Sequence, residues 1–167
     1  MTIVIAPIAE SHAESFHACL DTVAREKKYL AQIEALPLER VQAFVRSSVA
    51  NDSAQFVATD DSTVVGWCDI LPGWAHAVQH CGTLGMGLLP TYRRRGIGQR
   101  LLSTTIAKAR ANGITRIVLE VRTDNTGAIK LYERMGFTHE VRKRNALRFE
   151  GAYYDAFQMS LIFEPES

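Results

Sequence analysis

The sequence predicts an α/β or α+β protein built on a mixed sheet, and two observations carry that reading. The first half of the chain runs strand, two amphipathic helices, then a hairpin and a further strand, while the second half runs helix–strand–helix–strand–strand. Such an order places parallel and antiparallel neighbours in one sheet. In addition, no internal repeat, low-complexity tract or long linker interrupts the 167 residues, so 1–167 reads as one domain, long enough to bury a single core.

Each element has its own signal. The β-branched start of MTIVIAPIAESH, ended by Pro7, is a strand. From Glu10 to about Lys28, Phe16, Leu20 and Val23 recur at helical spacing, with Ser11 as the expected cap. Pro37 and Leu38 lead into LERVQAFVRSSVAND, whose Val41, Phe44, Val45 and Val49 form one apolar stripe. QFVATDDSTVVGWCDI is a hairpin about an Asp-Asp-Ser turn. HCGTLGMGLLP holds a fourth strand whose glycines mark a bulge or a close approach by a backbone or ligand. Gly96 to about Ala111 is a helix ended by Asn112-Gly113. TRIVLEVRT is a strand, TGAIKLYERM a helix stopped by Gly136, and FTHEVRKRNAL and YYDAFQMSLIF are two closing strands. Trp67 and Trp74 read as packing residues.

Composition narrows the function classes. Hydrophobic residues make up 47% and charged residues 22%, which excludes a disordered chain. A net charge of +1 gives no global electrostatic case for nucleic acid or an anionic membrane, and neither is expected as a partner. Cys19, Cys68 and Cys81 are odd in number and lack CxxC spacing, so they read as reduced packing residues. No signal-peptide pattern opens the sequence, and no stretch approaches the roughly 18 apolar residues of a membrane span. The expected location is cytoplasmic, and no metal is expected.

One stretch needs a local explanation: TYRRRGIGQRLL, residues 91–102, where three arginines meet a helix start. A helix N-terminus already favours anions and disfavours cations. Its unpaired N–H groups suit a phosphate, Gly96 and Gly98 let a backbone approach one closely, and arginines add charge-assisted contacts. A ligand carrying a pyrophosphate answers the charge. A solvated basic turn is the plainer alternative. The stretch is neither a P-loop nor a GxGxxG opening, and a groove-binding helix lacks wider basic support.

Arg93-x-x-Gly96-x-Gly98 after a strand ending Leu-Leu-Pro resembles the acetyl-coenzyme A signature of the GCN5-related N-acetyltransferase superfamily. LEVRTDNTGAIKLYERMGF is similar to a second element of that family, here through Asn125, Ala128, Leu131, Tyr132, Gly136 and Phe137. The resemblance implies a largely antiparallel seven-stranded sheet with helices on both faces, splayed between the fourth and fifth strands, the acyl-CoA N-acyltransferase fold. It implies acetyl-coenzyme A as co-substrate, its arm against Met86, Gly87 and Leu88. It also implies a pyrophosphate on the amides of Arg94, Arg95, Gly96, Ile97, Gly98 and Gln99, with Arg93 and Arg94 or Arg95 near the phosphates. Asn125 would cap the next helix and hold the arm, with Ala128 and Tyr132 beside it. Homodimers are common in the family.

Acetyl transfer needs a deprotonated amine, a stabilised oxyanion and a thiolate that can leave; the resemblance places Tyr132 near the sulfur. Proton transfer from an unperturbed phenol to a thiolate is uphill by roughly 2 kcal/mol, so a hydrogen bond completed by a relayed amine proton is the economical form. Glu120 matches a base found in some members of the family, with a surface or ion-paired role as its alternative; His80 is the second choice. Cys81 lacks a paired activating base for a covalent route. Acceptor contacts are expected from the loop at Tyr29 and Leu30 and from the last hairpin, with Tyr153, Tyr154 and Asp155; Asp155 either meets the substrate ammonium or pairs with Arg142, Lys143 or Arg144. The reading is transfer to a primary amine of a small molecule in a ternary complex. Its rivals are a non-catalytic acyl-coenzyme A sensor and acetylation of a protein N-terminus or lysine.

Overall fold

Seven strands, β1 (Ile3–Pro7), β2 (Ala54–Asp60), β3 (Thr63–Pro72), β4 (Cys81–Leu88), β5 (Arg116–Arg122), β6 (Thr138–Phe149) and β7 (Ala152–Ile162), lie in one sheet ordered β1-β2-β3-β4-β5-β7-β6. The structure, a computed structural model, describes residues 2–164. Every neighbouring pair is antiparallel except β4 and β5, which run parallel. That parallel step needs a crossover, and α3 (Ile97–Ala111) supplies it. The remaining helices are α1 (Ala13–Arg25), α2 (Leu38–Ala50) and α4 (Thr126–Arg134).

Two apolar layers hold the sheet. On one face Ile97, Leu101, Leu102 and Ile106 of α3 pack with Ile117, Leu119 and Met159, and Tyr132 of α4 belongs to the same layer. On the other, Phe16 and Val23 of α1 and Val41 and Val45 of α2 pack with Val57, Val64 and Trp67. The Phe16 and Trp67 rings meet edge to face at 5.7 Å. Each such side chain, fully buried, stabilises by about 1.5–3 kcal/mol. A mixed sheet is what the element order predicts, and helices on both faces of a seven-stranded, mostly antiparallel sheet are what the family resemblance implies.

Local expectations differ in three places. Ser11 does not cap α1: residues Glu10–His12 form a 3-10 turn, and the Nδ1 of His12 accepts the Ala9 N–H at 2.9 Å. On α2, Val41, Val45 and Ser48 are buried while Phe44 and Val49 are exposed. That helix rests chiefly on α1 and the 3-10 turn rather than on the sheet, so only a narrow line is covered. Trp74 is 93% exposed, because it follows β3 outside both apolar layers.

The feature that positions the site is the seam between β4 and β5. Only Cys81, Gly82 and Thr83 pair with Arg116, Ile117 and Val118. Beyond Thr83 the two strands part, and one edge of β4 from Leu84 to Leu88 has no strand beside it. The expected splay lies here.

Candidate active site

The parted strands open a cleft of about 740 Å³ whose walls include Met86, Gly87 and Leu88 of β4, Glu120 to Arg122 of β5 and the α4 residues from Thr126 to Arg134. One end is the start of α3. There Arg94 (φ +62°) and Gly96 (φ +77°) both take left-handed backbone conformations. Alternation of this kind turns successive N–H groups toward one concavity, an anion-binding arrangement that the helix dipole reinforces. No side chain caps α3, so its first amides are left to the cleft. Gly96 tolerates its φ because it lacks a Cβ; Arg94 bears that strain at a cost of about 1–2 kcal/mol.

The arginines divide their work. Arg94 lines the cleft. Arg93 lines it too, but its guanidinium is committed: Nη1 and Nη2 donate to Glu26 at 2.9 and 2.5 Å, and Nε donates to the Leu88 carbonyl at 3.1 Å. The Tyr29 ring stacks 4.2 Å from it. A side chain so held braces the turn against α1 rather than reaching for a phosphate, which corrects the expectation for Arg93 and takes up the Leu88 carbonyl expected for the cofactor arm. Arg95 lies over Tyr92 at 5.6 Å and is not part of the cleft wall. Ile97 is buried in the core, so its side chain serves packing. Gly98 and Gln99 line the cleft.

Asn125 caps α4 as expected, its Oδ1 accepting the Ala128 N–H at 3.4 Å. Ala128 follows on the cleft wall. Tyr132, one turn on, is 7% exposed and also lines the cleft. Burial pushes its phenol well above its ordinary range, and the neighbouring Cys68 adds to the shift. It is therefore a protonated donor at any physiological pH.

At the other end stand Lys28, Tyr29 and Leu30 of the α1–α2 connection, with Glu120 and Arg122. Glu120 is half-exposed and ion-paired with Lys143 of β6. Tyr154 and Asp155 lie outside the cleft wall. Asp155 accepts from Arg142 at 3.0 Å and from the Asn145 N–H at 2.9 Å, the internal pairing that was its alternative. Tyr154 instead supports Arg122, whose guanidinium lies 3.6 Å from its ring. His80 is exposed and lies at the closed end of the seam, so the second-choice base is not at the gap.

Arg122 was missed by sequence reasoning. It is only 7% exposed, donates to Asp124 at 3.0 and 2.7 Å, and donates to the Lys27 carbonyl at 3.0 Å. Lys27 in turn pairs with Glu150 in the β6–β7 turn. The α1–α2 connection is thus tied across the cleft to β5 and to the last hairpin. Lys130 and Arg134 of α4, which also line the cleft, were missed as well, although their four-residue spacing, which sets both on one helix face, is legible. Among the described residues no cluster of His, Cys, Asp and Glu suits a metal ion, and no helix is long and apolar enough to cross a membrane.

A parted β4/β5 seam, an anion-binding turn before α3 and a buried phenol on α4 together define an acyl-coenzyme A N-acyltransferase fold. Residues 14–137 match the Acetyltransferase (GNAT) family, and the chain belongs to it. It is 35% identical over 122 residues to the N-alpha-acetyltransferase RimI of Mycobacterium tuberculosis, covering 70% of this chain and 71% of that one. To the [ribosomal protein bS18]-alanine N-acetyltransferase of Salmonella typhimurium it is 38% identical over 72 residues, 43% of this chain. There the match spans about half, 49%, of the relative's length. Among solved structures, yncA of Salmonella typhimurium with its cofactor acetyl-CoA superposes with a TM-score of 0.92 at 15% identity, covering 100% of this chain and 97% of that one. A GNAT-family acetyltransferase of Streptococcus pneumoniae gives 0.89 at 25%, covering 97% and 100%.

Proposed function

We propose that the protein transfers an acetyl group from acetyl-coenzyme A to the primary amine of a small molecule, both substrates being bound together. The observation that carries this is the buried Tyr132 at the wall of the β4/β5 gap, in one continuous cleft with the turn at Gly96. Acetyl-coenzyme A supplies a thioester, an acyl donor with a thiolate leaving group. The residues fit it: the amides from Gly96 to Gln99 face a pyrophosphate, Arg94, Lys130 and Arg134 neutralise phosphate charge, and the open edge of β4 at Met86 and Gly87 accepts an extended arm.

The protein's own contribution is placement and proton management. Asn125 and Ala128 set the first turn of α4, which fixes Tyr132. The phenol, held neutral by burial, donates a hydrogen bond to the sulfur as charge develops there. Glu120 stands at the acceptor end, where an entering ammonium group would compete with Lys143 for its carboxylate.

A small acceptor is supported by the tie between Lys27, Arg122 and Glu150, which bridges the acceptor end. A peptide N-terminus is the second reading, favoured by the 35% identity to RimI. Thiol release from acetyl-coenzyme A, measured with amino acids, polyamines and a peptide beginning with alanine, tests both. Turnover with free amines supports the first, turnover restricted to the peptide supports the second, and thiol-free behaviour with every amine rejects acetyl transfer.

A further inference from the structure

We infer that Asp69 is the general base of this site, taking through one water the proton that the acceptor ammonium loses before it attacks. The inference deepens the acetyl-transfer reading and rests on it. It starts from register. Asp69 on β3 sits directly opposite Gly85 on β4, two residues beyond Thr83, where the pairing of β4 with β5 ends. The carboxylate therefore stands one strand away from the gap, outside the cleft wall, with only the side-chain-free Gly85 of β4 between them.

Its face is equally informative. Cys68 and Ile70 belong to the apolar layer under α3, and Trp67 to the layer under α1 and α2. Alternation puts Asp69 with Trp67, on the α1 side. Tyr132 belongs to the opposite layer. A proton acceptor for the amine and a proton donor for the sulfur thus lie on opposite faces of the sheet, Tyr132 at the cleft wall and Asp69 one strand back from it.

The route past β4 is kept open by a missing side chain. A Cβ at Gly85 would lie 3.3 Å from Asp69 Oδ1, so the carboxylate leans across this stretch of β4, and any larger residue there would crowd it.

Asp69 also lacks the cation that several acids around the sheet hold. Glu120, Asp124, Glu140, Glu150 and Asp155 each hold a cation. Among the described residues no hydrogen bond or ion pair reaches Asp69. Its cross-strand neighbour on β2, Gln55, is 1% exposed with both Oε1 and Nε2 unpartnered. Buried polar atoms of this kind are ordinarily satisfied by water. The carboxylate and amide together offer a water the partners it needs on this face of the sheet.

The surroundings are uncharged. Gln55 faces Asp69 from β2, Thr83 and Gly85 from β4, and Trp67 and Leu71 flank it on β3. The apolar layer of α1 and α2 on this face contributes two titratable side chains, the Cys19 thiol, which burial pushes up to about 12, and the Tyr29 phenol packed against its edge. Across the gap, Glu120 and Arg122 are each paired. With no cation near, burial alone pushes the Asp69 carboxyl up to about 7, where a base works best near neutral pH.

The step balances. One ammonium proton passes through water to Asp69 and later to solvent. The freed nitrogen bonds to the acetyl carbon as the carbon–sulfur bond breaks, and a second nitrogen proton reaches the departing sulfur by way of Tyr132. The products are an amide, a thiol and one released proton.

The test is the pH dependence of kcat/KM for thiol release, with an alkylamine and with trifluoroethylamine, whose ammonium is far more acidic. Asp69→Asn should lower kcat/KM for the alkylamine by about 10²–10³-fold and erase the acid limb near pH 7, leaving acetyl-coenzyme A affinity unchanged. With trifluoroethylamine the deficit should shrink to less than about tenfold, because that amine needs no base. An unaltered acid limb, or an equal loss with both amines, would overturn the assignment. Should Asp69→Asn not fold, Gly85→Ala takes its place: a displaced acid limb supports the role and an unmoved one sinks it. Wild type inert toward every amine would reject acetyl transfer itself, and the inference with it.

Discussion

The carboxylate of Glu26 grips both terminal nitrogens of Arg93, at 2.9 and 2.5 Å, and so joins the end of α1 to the turn that opens α3. The pair is three-quarters buried on each side. Removing one partner leaves the other charge stranded, which costs about 3 kcal/mol or more in a buried setting and less at this exposure. Arg93→Ala should therefore lower Tm by several degrees, whereas Arg94→Ala should leave Tm unchanged and weaken coenzyme A binding. Thermal unfolding alongside a coenzyme A titration separates the two; equal effects in both assays would show that the arginines share one role.

For Tyr132→Phe the expected outcome is a loss of about 10²-fold in kcat with little change in acetyl-coenzyme A affinity, since the ring's packing against Phe137 at 5.8 Å is kept. Burial raises the phenol's pKa, so the neutral form is favoured in the fold and no ionisation of Tyr132 should shape the profile below pH 10. Stability from this group is complete below the phenol's ordinary pKa and falls only as pH rises beyond it. Wild-type rates in the Phe variant would remove Tyr132 from the chemistry.

Gly96 and Gly98 should respond differently to alanine. Gly96 holds φ +77° with open space around it, so Gly96→Ala is a conformational penalty of about 1–2 kcal/mol, visible as a lower Tm. Gly98 lies within the helix, where a Cβ would sit 3.4 Å from Leu131, an ordinary contact. Gly98→Ala should keep or slightly raise Tm, yet weaken coenzyme A binding about tenfold if the phosphates sit against that amide. Undiminished affinity would move the pyrophosphate elsewhere.

Asp69 carries a stability signature as well. Burial pushes its carboxyl from an ordinary value of 3.8 up to about 7 in the fold. Between those values the folded state binds more protons, so this group's contribution to stability falls as pH rises from about 4 to 7 and stays low above that. Asp69→Asn should remove that slope and raise Tm at pH 8, on a scale of about 2–4 °C per kcal/mol for a chain of this length. A melting curve with the same pH slope in wild type and variant would contradict it.

Element order and the phosphate turn were legible in the sequence because each rests on local signals, hydrophobic period, glycine placement and helix caps such as Asn125, whereas the splayed seam was expected only through the family resemblance. What escaped depends on residues remote in sequence. Nothing near Arg93 announces Glu26, and which of its two expected partners Asp155 meets is decided only when Arg142 is folded beside it. Phe44 and Val49 fit a helical stripe, but how much of it is covered depends on α1. Asp69 lay unnoticed in GWCDI for a similar reason. An acid alternating with buried residues becomes notable only once β4 brings Gly85, rather than a cation, alongside it.

Three residue pairs, Cys81–Arg116 to Thr83–Val118, are all that joins β4 to β5. Mechanically the molecule is two half-sheets, β1 to β4 and β5 to β7, riveted at one end. An extended ligand arm laid in the gap would add rungs along the rest of the seam, so substrate loading would also stiffen the scaffold. Amide exchange in Leu84–Leu88 and Leu119–Arg122 should then slow together on coenzyme A binding, while the riveted end stays as it was.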